Sequence, residues 1–142
     1  MLAIQIRRVA IAAALVTLAA CKGDSSTAPM SVVGTFNLQS VNGKALPYAV
    51  VDSVPGQPAF RVEILSPSSL TINADKTFRF ALTLKTAVGG SSSVATETAT
   101  GVYTLAGNTV SLTANGETFA GEWDGNNTIT LRGDGDLLVF KR

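Results

Sequence analysis

The sequence predicts an all-β chain, a small antiparallel up-and-down β-barrel of about eight to nine strands. Three observations predict it. From residue 33 onward apolar and polar residues alternate with a period of two, which puts each apolar set on one face of a sheet. Gly, Asn and Asp break these runs at the roughly 8–12-residue spacing of all-β folds. The breaks are short enough to be hairpins, and a meander of hairpins either closes on itself or leaves two edges exposed. A sandwich of two sheets is the open alternative.

The chain begins differently. Met1 to Arg8 carries Arg7 and Arg8 and no acid, and residues 9–18 form an apolar run in which only Thr17 is polar. This is the n-region and h-region of an export signal. The run is about half of the roughly 20 residues a spanning helix needs. It leads into Leu18-Ala19-Ala20-Cys21, where two small residues precede the only cysteine of the chain. A lone thiol forms no internal disulfide and is uncommon in an exported protein. The alternative is a buried, inert cysteine behind an ordinary secretory signal.

Leu18-Ala19-Ala20-Cys21 resembles the lipobox of bacterial lipoproteins. The resemblance implies a signal-peptide helix over residues 1–20, cleaved between Ala20 and Cys21. It implies a diacylglyceryl thioether on Cys21 and a further acyl chain, such as palmitate, on the new amine. At about 0.8 kcal/mol per buried CH2, two or three chains anchor stably where one holds weakly. Lys22 stands where better-known lipoproteins retained in the inner membrane carry Asp, so the resemblance favours the outer membrane of a bacterial envelope.

Residues 21–142 number 122, the size of one domain with one proper core. Without Arg7 and Arg8 there remain nine basic residues against ten acidic ones, so no strong footprint for nucleic acid is present. The chain has no histidine, which excludes the usual zinc sites and every nucleophile that needs a histidine base. No cofactor, metal site or enzymatic activity is expected.

Residues 21–32 comprise the lipidated cysteine and a small, polar, proline-containing tether that cannot offset the entropy of ordering. The barrel spans 33–142. Its first strand, Val33 to Val41, sets Phe36 and Leu38 on one face before an Asn42-Gly43 turn. Gly34-Thr35-Phe36 resembles the Gly-x-Trp or Gly-Thr-Tyr opening of lipocalin-like domains, with Phe36 in place of tryptophan. Val41-Asn42-Gly43 with Leu46-Pro47 resembles the continuation in small bacterial lipoproteins of that kind.

Tyr48 to Pro58, with Pro55-Gly56 and Pro58 in its second half, reads as a loop or a cap over one end of the sheet. Three strands follow: one around Phe60, Val62 and Ile64, one around Leu70 and Ile72, and one from Phe78 to Leu84, the last two joined by Ala74-Asp75-Lys76. Residues 87–93 read as a loop. Val94 to Leu105 is a long threonine-rich strand in which Gly101 suggests a bulge or a corner that shifts the register. Turns at Gly107-Asn108, Asn115-Gly116, Asp124 to Asn127 and Gly133-Asp134-Gly135 deliver strands around Leu112, Phe119 with Trp123, Ile129 with Leu131, and Leu137 to Arg142. Phe140-Lys141-Arg142 is similar to the last strand of lipocalin-like barrels, which implies a basic side chain across the aromatic of the first strand.

An eight-stranded barrel is filled by its own side chains or keeps one small ligand. Phe36, Phe60, Phe78, Phe80, Tyr103, Phe119 and Trp123 are candidates for the inner face, enough for a solid core. An apolar pocket for a small hydrophobic molecule is the competing reading, with no ligand-binding residue assigned. Asp124, Asp134 and Asp136 in glycine-rich loops suit calcium or plain turn chemistry. Glu117 and Glu122, five apart on one strand, face opposite sides and make no carboxylate pair, so a hydrolase is disfavoured. The expectation is an envelope lipoprotein, anchored to the membrane through Cys21, whose lipocalin-like barrel binds a hydrophobic small molecule. The alternative is a structural or protein-interaction module with a solid core.

Overall fold

The alternating sequence forms ten strands in a computed structural model that describes residues 30–51, 55–56 and 59–142. They are β1 (Gly34–Val41), β2 (Lys44–Ala45), β3 (Tyr48–Val51), β4 (Phe60–Ile72), β5 (Thr77–Val88), β6 (Ser91–Ala106), β7 (Thr109–Ala114), β8 (Glu117–Trp123), β9 (Thr128–Gly133) and β10 (Asp136–Lys141). From β4 to β10 every strand pairs antiparallel with the next, β10 pairs with β1, and β1 pairs back onto β4. Eight strands therefore close a barrel, and β2 and β3 are additions to it. The expected signal-peptide helix, Cys21 and residues 22–29 of the expected tether lie outside the described residues. Val32, just before β1, is buried in the core.

Closure is confined to one half of the molecule. Gly34 to Asn37 of β1 lie opposite Ile72 to Ser69 of β4. Beyond them the two strands part: Ser40 and Val41 pair with β2, and Val62 to Ile64 pair with β3. The excursion of β2 and β3 thus occupies the wedge where the seam splays. The expected loop from Tyr48 is, over its first four residues, the strand β3. Its apolar residues carry no clear period because a pairing irregularity between Ala49 and Val51 breaks the alternation.

The two strands expected at 60–64 and 70–72 are one, β4. Pairing steps from Leu65 opposite Thr83 to Ser69 opposite Ala81, so four steps of β4 match two of β5. Two extra residues preserve parity, and Ile64 and Leu70 keep to one face. Ser68 fills the irregularity: its hydroxyl donates to the Leu65 carbonyl (2.7 Å) and accepts from the Thr83 amide (2.9 Å), while the Thr83 hydroxyl donates to the Pro67 carbonyl (2.6 Å). A buried serine in an apolar face is tolerated because its polar atoms are paired.

Two further expectations are corrected. Residues 87–93 are not a loop but the ends of β5 and β6 around a two-residue turn at Gly89-Gly90. Gly101 does not shift the register, since Phe78 faces Gly101 and Thr77 faces Val102 in unbroken sequence. Its need is for space: a Cβ there would fall on the Thr113 carbonyl and come within 2.8 Å of the Phe78 ring. The glycine lets β7 approach where β6 turns the barrel corner.

Turns at 42–43, 89–90, 115–116 and 134–135 gather at one end of the barrel, and those at 74–76, 107–108 and 124–127 with the C-terminus at the other. Near the second end Phe36, Leu70, Ile72, Val110, Ile129 and Phe140 are at most 1% exposed. Each such side chain contributes about 1.5–3 kcal/mol on burial. Phe140 meets Phe80 edge to face, with centroids 5.7 Å apart.

Two measurements test these details. Ser68→Ala removes the acceptor of the Thr83 amide and should cost about 1–3 kcal/mol in urea unfolding with an unchanged slope, whereas Ser92→Ala on the exposed part of β6 should stay within about 0.5 kcal/mol of the parent. The Asp75 carboxylate accepts from the Thr77 hydroxyl (2.6 Å) and amide (3.0 Å), bonds that lower its pKa. A carboxyl lowered by folding contributes stability that is whole above its ordinary pKa and lost as pH falls through the lowered one. Asp75→Asn should therefore flatten the acid limb of the stability profile, read from unfolding midpoints between pH 5 and pH 2.

Candidate functional site

The two ends of the barrel are built differently. At the solid end the ring of Phe36 lies under Arg142, with the guanidinium carbon 4.6 Å from the ring centroid. The same guanidinium donates through Nη2 to the carbonyls of Ser31 (2.7 Å) and Asn126 (2.8 Å), and through Nη1 to that of Val33 (3.2 Å). Trp123 Nε1 also donates to the Asn126 carbonyl (3.3 Å). A planar fork of five donors suits this task, which an ammonium would perform poorly. Arg142, not Lys141, is thus the basic residue laid across the first-strand aromatic. It straps the backbone of Ser31 and Val33 to the β8–β9 turn. In that turn Asp124 accepts from the amides of Asn126 (2.8 Å) and Thr128 (2.9 Å), which is turn chemistry.

The other end is hollow. A cavity of about 380 Å³ opens there, within the range of roughly 300–1,000 Å³ for ligand pockets. Phe78, Leu112 and Leu131 are its buried floor, and Phe80, Leu82, Leu84 and Phe119 are among its walls. Its space comes from small inward residues, Ala99, Ala114 and Gly133. The Phe119 ring lies over Gly133, where a Cβ would sit 2.5 Å from Cδ1. A larger residue at 133 would displace that wall.

The interior is therefore solid in one half of the barrel and open in the other. Phe36, Tyr103 and Trp123 are buried in the core, while Phe78, Phe80 and Phe119 line the cavity. Phe60 is not interior: as the first residue of β4 it stands at the rim, 37% exposed. Val50 and Val88 are exposed at the same rim, Val88 directly opposite Phe60.

The three acids weighed for calcium do not meet. β9 runs between Asp124 at the solid end and Asp134 and Asp136 at the mouth. Among the described residues no group of three or more His, Cys, Asp or Glu side chains could hold a metal ion. Glu117 lies opposite Ala114 and Glu122 opposite Thr109, at the two ends of β8, so they form no pair. Asp136 accepts a hydrogen bond from the Asn42 side chain (2.6 Å), which also donates to the Tyr48 hydroxyl (3.0 Å) and accepts from the Leu137 amide (2.9 Å). This network ties β1, β3 and β10 together at the mouth. In the sequence Asn42 reads only as a turn residue, and nothing local pairs it with a position 94 residues away.

Arg142→Lys should lower stability by about 1–2 kcal/mol in urea unfolding, because it forfeits the fork while keeping the charge. The hollow end, built from other residues, should keep its capacity for an apolar probe.

No protein-family model, curated protein or solved structure matches this chain, so its own residues carry the functional reading.

Proposed function

We propose that this chain is a lipid-anchored binding protein of the bacterial envelope that holds a small hydrophobic molecule in the open half of its barrel, and that it performs no catalysis. The observation that carries the binding reading is the cavity: an enclosed wall of Phe, Leu, Ile and Val with space left open in a protein that packs its other end solid. Stabilised apolar surface without atoms on one side forfeits dispersion contacts, and a hydrophobic guest restores them. The anchor rests on Leu18-Ala19-Ala20-Cys21 alone. Together they make a tethered carrier, with covalent lipid on Cys21 at the membrane and reversible cargo in the barrel.

A second reading, an envelope interaction module, is favoured by one observation. β6 pairs with β5 from Ser91 to Val102, but β7 joins it only from Val102. About ten residues of β6 thus present an edge unpaired by any described strand, with Glu97 its one charge and no lysine or proline to blunt it. Such an edge accepts an added strand.

Binding is tested with residues 22–142 and the neutral fluorophore N-phenyl-1-naphthylamine. The expected result is saturable fluorescence enhancement, weakened at least tenfold by Ala99→Trp, which puts an indole at the mouth without touching the solid end. Absence of enhancement in the parent would rule the pocket out. Metabolic labelling with palmitate tests the anchor: label and membrane association should both disappear in Cys21→Ser. The edge reading expects a self-associated or partner-bound species in sedimentation that Thr96→Lys with Thr98→Lys removes.

A further inference from the structure

The charges around the mouth of the cavity bear on which hydrophobic molecule it holds, an inference that rests on the binding reading above. Asp134 and Asp136 border the cavity, and Asp136 belongs to the inward phase of β10, two residues before the lining Leu138. Glu97 lies directly opposite the lining Leu82, and Glu117 directly opposite the lining Ala114. Residues facing each other across a ladder share a face of the sheet, so both glutamates lie on the inner phase at the open end. Four carboxylates from β6, β8, β10 and the β9–β10 turn thus surround one opening.

Bases are distributed the other way. Arg61, Arg79 and Lys85 alternate with the lining Val62, Phe80 and Leu84 and so belong to the outer face. Arg132 alternates with the inward Leu131 and Gly133 and is exposed, yet it too borders the cavity. Among the described residues Lys44 is the one base on an inward phase at this end, opposite Val41. Among the described residues none of the four acids forms a salt bridge, and Asp136 is held by the uncharged Asn42. Four carboxylates against Lys44 and Arg132 leave the mouth with a net negative sign over an apolar floor.

A guest enters such a pocket with its apolar part inward and its polar head among the carboxylates. A protonated amine there gains Coulomb attraction at a partly desolvated rim, whereas a fatty-acid carboxylate meets like charge. We propose that the barrel selects cationic amphiphiles, an apolar body bearing a protonated amine, over anionic ones of equal chain length.

The test is competition against N-phenyl-1-naphthylamine by decylamine, decanol and decanoate at pH 7 and low salt. Equal chains keep the apolar contribution constant, so their order reports the head. Expected is decylamine displacing the fluorophore at a concentration at least tenfold below that of decanoate, with decanol between them. In about 1 M salt, where the Debye length falls to about 3 Å, the ratio should shrink several-fold. It should also narrow in Glu97→Gln with Glu117→Gln, exposed substitutions that alter charge alone. If decanoate competes as well as decylamine, or the ratio ignores salt and both substitutions, head-group selection is overturned and the pocket stands. If the fluorophore does not bind at all, the pocket itself is refuted, and the selection with it.

Discussion

Four residue pairs carry the closure of this barrel. Where Gly34 to Asn37 meet Ile72 to Ser69, the first strand and the first long strand complete the ring, and along that stretch two edges of the sheet are joined. Because the seam is only that long, closure is local to one end. Side chains there converge from all directions and bury fully, with Phe36 and Phe140 at the centre and Arg142 strapped above. Farther along, β1 and β4 diverge, β2 and β3 fill the wedge, and the wider circumference leaves space that the side chains do not fill. One short stretch of pairing thus separates a solid half from a hollow one.

Much of this architecture is legible in the sequence because strand alternation is a local signal. Phe78, Phe80, Leu82 and Leu84 fall on one face whether the sheet closes or not, and Asn115-Gly116 makes a hairpin regardless of what it joins. The parts that escape are those decided by partners distant in sequence. Ser66 to Ser68 looks like a break between strands, and only the Thr83 amide waiting across the ladder makes it an interruption within one. Gly101 looks like a bulge, and only the Thr113 carbonyl shows that it is a clearance.

The candidate site shows the same division. Its apolar lining can be listed from alternation, but whether a barrel is full depends on where small residues fall relative to one another around the circumference. Ala99, Ala114 and Gly133 come from three separate strands and open one space because register brings them to one end. The acids at the mouth are scattered from position 97 to 136, and Asp124, which seems their companion in sequence, belongs to the opposite end.

The strap formed by Arg142 also fixes a direction. It grips the backbone of Ser31 and Val33, so the first described residues lie at the solid end, opposite the mouth. Nine residues, 22–30, span at most about 32 Å even when fully extended. With the acyl chains proposed for Cys21, the solid end would be the one nearer the attachment point.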